Sequence, residues 1–194
     1  MRRMIVVPFI LFALHVQSQT EADIRNHYKD INKKITESIE QGYEGPLYQN
    51  QIVMNKNGKS WPATGIYTDT TNFWYDDDPF HLAASDRDPK NVLVKVMMSS
   101  RRSSDASTAE EYLYKDGKLL FYYSYWGEEG SLWESRVYFN SKGVMIKRIE
   151  KKDGKEISQK EIADDIGSGE RTSSKKILLN AKNYQDVFIK SMSN

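Results

Sequence analysis

The densest run of chemistry-bearing side chains lies at residues 75–89, YDDDPFHLAASDRDP, where Asp76, Asp77, Asp78, Asp86 and Asp88 surround His81. Hard carboxylate oxygens at such short spacing are what calcium binds, and secreted proteins meet enough calcium to use weak sites. The run lacks the glycine and terminal glutamate of an EF-hand loop. The plainer reading is a solvated loop whose aspartates cap turns around Pro79 and Pro89. His81 beside these acids would also suit a general base oriented by an aspartate. A multi-histidine zinc site is excluded, because His15 falls in an apolar leader and only His27 and His81 follow it, with no cysteine anywhere.

Aromatic side chains form the second candidate group. Twelve Tyr, seven Phe and four Trp make the chain aromatic-rich. Trp74, Tyr123, Tyr125, Trp126 and Trp133, together with Trp61 and Tyr122, would build a platform that stacks sugar rings or grips a peptide, since exposed aromatic patches mark recognition surfaces. If these rings fill the interface between sheet and helices instead, they carry no ligand. Glu111, Glu134 and Asp76 are carboxylates of the kind that pair in glycoside hydrolysis, although any chain of this size offers such pairs. Arg101-Arg102 would contact an anion or simply be solvated. The sequence contains no nucleophile elbow, phosphate-cradling loop or dinucleotide fingerprint.

These residues must be positioned by recognisable elements. Ile24, Tyr28, Ile31, Ile35 and Ile39 recur at helical spacing with charged residues between them, which predicts an amphipathic helix over 21–41 that stops at Gly42. From Leu47 the period changes to two. Residues 47–55, 64–75 and 91–99 read as strands, the last being the most apolar and so central, and 101–108 reads as an exposed connection. Residues 110–115, 118–126, 131–140 and 144–151 are four further strands, separated by turns whose glycines, Gly117, Gly130 and Gly143, fall thirteen residues apart. Even spacing implies equal strands folded up and down as a meander. In the second of these strands Leu119, Phe121, Tyr123 and Tyr125 should share one face, and Leu120, Tyr122 and Trp126 the other. A short helix over 158–166 should be capped by Ser158 and stopped by Gly167. A last amphipathic helix carries Ile177, Ala181, Tyr184, Phe188 and Met192, with Ser173 or Ser174 as its cap. The fold class is therefore α+β: an antiparallel β-meander sheet packed by an N-terminal and a C-terminal amphipathic helix.

Residues 1–18 read as a secretory signal peptide, with Arg2 and Arg3 before an apolar stretch from Met4 to Val16 and a cut after Ser18. Thirteen apolar residues are too few to span a bilayer, which needs about 20. Losing the two arginines takes the formal charge from +1 to −1, a balance that offers no basic field for nucleic acid. Without cysteine there is no disulfide, thiolate site or lipid attachment. The expectation is a periplasmic or secreted single domain over 19–194, not a lipoprotein and not inserted in a membrane.

The helix IRNHYKDINKKI and the meander EYLYKDGKLLFYYSYWG…SRVYFNSKGVMIKRIEKKDGK, over about Ile24 to Lys155, resemble a loose group of small secreted bacterial proteins of no assigned function. YKDGK at 114–118 is similar to the turns of MORN-type repeat proteins, without their further glycines. A helix on a curved antiparallel sheet also resembles cystatin-like and nuclear-transport-factor-like domains, which would imply an inhibitor or a cone-shaped pocket. The expected function is a non-enzymatic module that binds a protein, peptide or glycan through Trp126, Trp133, Tyr123, Tyr125 and Trp74. Two alternatives stand beside it: a small nuclear-transport-factor-like enzyme or pocket protein with an acidic or histidine site, and a domain stabilised by calcium at Asp76, Asp77, Asp78, Asp86 and Asp88. No other cofactor is expected.

Overall fold

The computed structural model describes residues 20–62, 65–79, 88–102, 107–128, 130–169 and 171–192. Helix α1 (Glu21–Gln41) opens with a capping box: Thr20 Oγ1 accepts from the Asp23 amide at 3.2 Å, and the Asp23 carboxylate accepts from the Thr20 amide at 3.0 Å. These bonds satisfy two amides that a helix start leaves orphaned. Its buried stripe is Ile24, Ile31 and Ile35, continued by Ser38 rather than by the expected Ile39, which is exposed. The exchange follows from the turn beyond the helix. Ser38 Oγ accepts from the Leu47 amide at 2.9 Å, and a Cβ on Gly45 would lie 2.4 Å from Ser38 Cα. Only glycine lets the returning chain pass this close to the helix.

Eight strands follow in simple meander order: β1 (Tyr48–Met54), β2 (Tyr67–Tyr75), β3 (Leu93–Arg102), β4 (Ser107–Lys115), β5 (Lys118–Glu128), β6 (Ser131–Phe139), β7 (Met145–Lys152) and β8 (Lys155–Glu156). All pair antiparallel with their sequence neighbours in one sheet. The tight turn between β4 and β5 places both Asp116 and Gly117 at positive φ, 50° and 71°, the geometry that matches strand twist in a two-residue hairpin. Arg101 and Arg102, expected in a connection, pair with Thr68 and Tyr67 as the end of β3 and remain exposed.

Helix α2 (Gln159–Ser168) is capped by Ser158 as expected, but it ends at the left-handed Gly169, two residues past the expected Gly167 stop. Helix α3 (Ser174–Met192) starts where Ser173 Oγ accepts from the Lys176 amide. The two long helices lie on opposite faces of the sheet. Under α3 pack Phe73, Tyr112, Tyr114, Tyr122, Val137 and Phe139 with Ile177, Ala181 and Phe188. Under α1 pack Trp74, Val94, Leu113, Leu120, Phe121 and Tyr138 with Ile24, Ile31 and Ile35.

Three bulges let the strands serve both cores. The register shifts between Leu113 and Tyr114, so that Leu120 is an extra residue in β5, and similar shifts occur at Trp74/Tyr75 and Tyr138/Phe139. An extra residue reverses strict alternation. Leu119 consequently joins Tyr122 under α3 while Leu120 joins Phe121 under α1, which corrects the face assignment of the sequence pattern. Among the described residues no helix is long and apolar enough to cross a membrane.

Candidate functional site

Strand registers assemble the side chains of the α3 face into transverse rows. Val96, Tyr112, Tyr122, Val137 and Arg148 form one row; Met98, Glu110, Ser124, Ser135 and Glu150 the next; Ser100, Thr108, Trp126, Trp133 and Lys152 the third. The first row is largely apolar and belongs to the core beneath α3. The other two turn polar and aromatic, and beside them opens a trough of about 580 Å³ closed at one end by Asp165, Arg171 and Thr172. Such a volume is in the range of small-ligand sites.

The trough floor is held by a buried ion network. Glu150, with no solvent exposure, accepts from Arg148 Nε at 2.6 Å, Ser135 Oγ at 2.7 Å and Arg171 Nη1 at 3.0 Å. Arg171 Nε donates to Asp165 at 2.6 Å, and Arg148 Nη1 donates to the Thr172 carbonyl at 2.9 Å. Both arginines are thereby neutralised, and the link between α2 and α3 is fastened to β6 and β7. Glu110 differs. Its two oxygens accept from the Tyr112 hydroxyl at 2.5 Å and the Tyr122 hydroxyl at 3.2 Å, and no cation pairs with it among the described residues. Burial first, and the Glu110 charge second, push both phenols well above their ordinary range; Tyr184 is pushed up to about 12 by burial and then by Glu110 and Asp69. Ser100 Oγ and Asp69 Oδ1, on residues paired across β2 and β3, are buried with no hydrogen-bond partner among the described residues.

Trp126 and Trp133 are register partners on this wall. Trp126 is 39% exposed. Trp133 is already engaged, with the Arg171 guanidinium 4.2 Å and the Lys152 ammonium 4.5 Å from its ring centre. Tyr125 borders the trough, but its ring pairs with that of Tyr123 at 6.5 Å. Tyr123 itself lines a second concavity on the α1 face. Trp74 does not belong with these rings: at 3% exposure it packs under α1, so its grouping with ligand-binding aromatics is corrected to a core role.

The second concavity, a groove of about 470 Å³, lies between α1 and strands β5 and β6. Ile24, Phe121 and Tyr138 are buried at its base, with Tyr28 and Tyr123 beside them and Arg25, Lys29 and Arg136 around them. Beyond it, Lys95 is buried to 1% exposure; its ammonium bonds Asn32 Oδ1 at 2.6 Å, pairs with Glu111 at 2.7 Å and faces the Tyr28 ring at 4.4 Å. Burial lowers the Lys95 pKa, and Glu111 opposes the shift. With every donor direction answered, this lysine fastens α1 to the sheet.

Of the acidic run, Asp76, Asp77, Asp78 and Asp88 are described. Asp88 caps a 3₁₀ turn over Pro89–Val92, Asp77 Oδ1 accepts from the Asp78 amide at 2.8 Å, and the Asp76 amide donates to the Val92 carbonyl. Asp86 and His81 lie outside the described residues, among which no group of three acids or histidines is placed to hold a metal. Glu111 and Glu134 both lie on the α1 face, bonded by Tyr28 and Tyr123 respectively, and Glu134 also borders the trough.

Sequence reasoning missed Glu110, Arg148, Glu150 and Arg171, and on the other face Arg25, Lys29, Tyr28 and Arg136. Arg148 and Glu150 did leave a signal: opposite charges two apart in a strand share a face. No family model matches this chain, and no curated protein or solved structure proves similar to it.

Proposed function

We propose that the protein is a non-enzymatic binding module, exported by residues 1–18, that holds a glycan in the trough of the α3 face. The supporting observation is the position of Trp126. Its partly open ring stands one row from Glu110, Ser124 and Ser135, so an apolar stacking surface and a bank of hydroxyl and carboxylate groups meet at one wall. A sugar ring presents the same pair of surfaces, C–H groups on its face and hydroxyls at its rim. Glu110 is held rigidly by two phenols and keeps lone pairs for further donors.

Calorimetric titration with chitohexaose and cellohexaose tests the proposal, with fully deacetylated chitohexaose as a cationic arm. Binding of a neutral hexaose that weakens at least tenfold in Trp126→Ala, with an unchanged melting curve, supports it. A preference for the deacetylated chain alone shifts the ligand class to amines recognised by Glu110. No binding at millimolar sugar, or equal binding by Trp126→Ala, overturns the trough as the site. Export is tested separately by N-terminal sequencing of the protein recovered outside the cytoplasm, expected to begin at Gln19.

A further inference from the structure

The groove on the α1 face has an electrostatic character of its own. Its lining includes three cations, Arg25, Lys29 and Arg136, and no carboxylate. Glu21 and Glu134 do approach two of these cations from outside. Arg25 gives Nε and Nη2 to one Glu21 oxygen, and Arg136 gives only Nη2, at 3.2 Å, to Glu134. Among the described residues Arg136 therefore keeps Nε and Nη1 for another acceptor. Lys29 is exposed and makes no ion pair among the described residues.

The base of the groove is apolar and preformed. Phe121 and Tyr138 pack at 4.9 Å, and Tyr28 meets Phe121 edge-on at 5.2 Å. Arg25 lies 5.8 Å above the Tyr138 ring and Arg136 5.7 Å above the Tyr123 ring. Rings beneath a guanidinium hold it in place. An apolar floor of drug-ligand size, rimmed by three cations of which Arg25 and Arg136 are held over rings, matches a molecule with a hydrophobic body and an anionic head.

We infer that this groove is a second binding site, for a small amphiphilic organic anion: a carboxylate, sulfate or sulfonate carried on an aromatic or alkyl body. The body rests on Phe121 and Tyr138, and the anionic head takes the free donors of Arg136 and the ammonium of Lys29. This site lies on the face of the sheet opposite the trough and does not depend on the trough's ligand.

The probes are three naphthalenes of nearly equal shape: 2-naphthoate, 2-naphthalenemethanol and 2-naphthylmethylammonium, each titrated calorimetrically into the cleaved chain. 2-Naphthalenesulfonate is added to separate a carboxylate preference from a general anion preference. The expected order is anion over alcohol over ammonium, with affinity for the anions falling as salt rises. Arg136→Gln should weaken naphthoate by about tenfold, the scale of one charged hydrogen bond, and bring it level with the alcohol. Arg136→Lys should restore part of the preference, and Trp126→Ala should leave it unchanged. Each variant is melted first. If Arg136→Gln proves unstable, Lys29→Gln, on the exposed side of α1, reads the same preference. Equal affinity for anion and alcohol, or no anion binding at millimolar concentration, overturns the site. Weakening by Trp126→Ala but not by Arg136→Gln would place the probe in the trough and overturn it as well.

Discussion

The two faces of the sheet use the same residue types to opposite ends. On the α3 face arginines are consumed: Arg148 and Arg171 converge on the buried Glu150, and what remains open is Trp126, hydroxyls and the carboxylate of Glu110. On the α1 face arginines are displayed: Arg25 and Arg136 stand over tyrosine rings at the rim of a groove whose lining has no acid. The difference follows from what covers each face. The link between α2 and α3 folds down over β6 and β7 and seals its charges away from water, whereas α1 leaves one flank of β5 and β6 uncovered. A buried ion must be answered by another ion, but a rim ion is answered by solvent. The fold therefore assigns its arginines on one face to architecture and on the other to contact.

The largest effect should come from breaking this contrast at its buried end. Arg148→Ala leaves Glu150 inside with one guanidinium lost, and urea denaturation should show about 3–5 kcal/mol less stability. Arg136→Ala, the same chemical deletion at the exposed rim, should cost no more than about 1 kcal/mol. Similar losses for both would mean that the groove arginines are structural too.

A smaller effect separates the faces by pH. Tyr112, Tyr122 and Tyr184 under α3, and Tyr28 and Tyr123 on the α1 side, all have raised pKa values, chiefly through burial and then through Glu110, Glu111 and Glu134; Tyr28 and Tyr184 reach about 12. Below pH 10 the phenols are protonated in both native and unfolded chains and add no pH dependence. Above it the unfolded chain releases protons that the native one retains, so stability falls as pH rises. Lys95 acts in the other direction: its lowered pKa means that the unfolded chain binds more protons just below pH 10.5, so that stability rises with pH there. One lysine against seven tyrosines, since burial raises Tyr75 and Tyr114 as well, leaves a net loss above pH 10. Discounted for the solvent that still reaches several of these rings, the loss should be about 1–2 kcal/mol per pH unit. Denaturation at pH 9, 10 and 11, beside a phenolate absorbance titration, measures it. Glu110→Gln should bring down the titration of Tyr112, Tyr122 and Tyr184 alone; a change in Tyr28 and Tyr123 as well would mean that the faces are electrically coupled.

The legibility of these features in the sequence divides along the same line. The thirteen-residue glycine spacing and the isoleucine stripe of α1 announced the meander and its helix, because turns and amphipathic faces are local patterns. The acidic run at 75–89 was equally visible; of its described aspartates, Asp88 caps a turn and Asp77 accepts from the next amide. Glu110 and Glu150 lie forty residues apart and share a row only through three successive strand registers, which no local window contains. Trp126 and Trp133 flank a single hairpin turn, and that nearness made them readable as a pair. Trp74 resembled them in type, yet it lies beneath α1, whose coverage of β2 is a tertiary fact.

The smallest effect is expected at the start of α1, and it bears on the groove alone. Thr20 caps the helix through Asp23, and the next turn carries Ile24 and Arg25, with Lys29 one turn further. Thr20→Ala removes one side of the capping box. For an exposed cap the cost should be about 0.5–1 kcal/mol, seen as a slight fall in the urea midpoint. The first turn keeps Ile24 in the core and the Glu21 bond to Lys147, so loss of the cap loosens it only slightly, whereas the later residues are held further by Ile31, Ile35 and the Lys95 anchor. Fraying moves Arg25 before it moves Arg136, so naphthoate binding should weaken by a small factor while trough binding stays constant. A loss in the trough of equal size would show that α1 positions both faces, and the separation between architecture and contact would then lie within each face rather than between them.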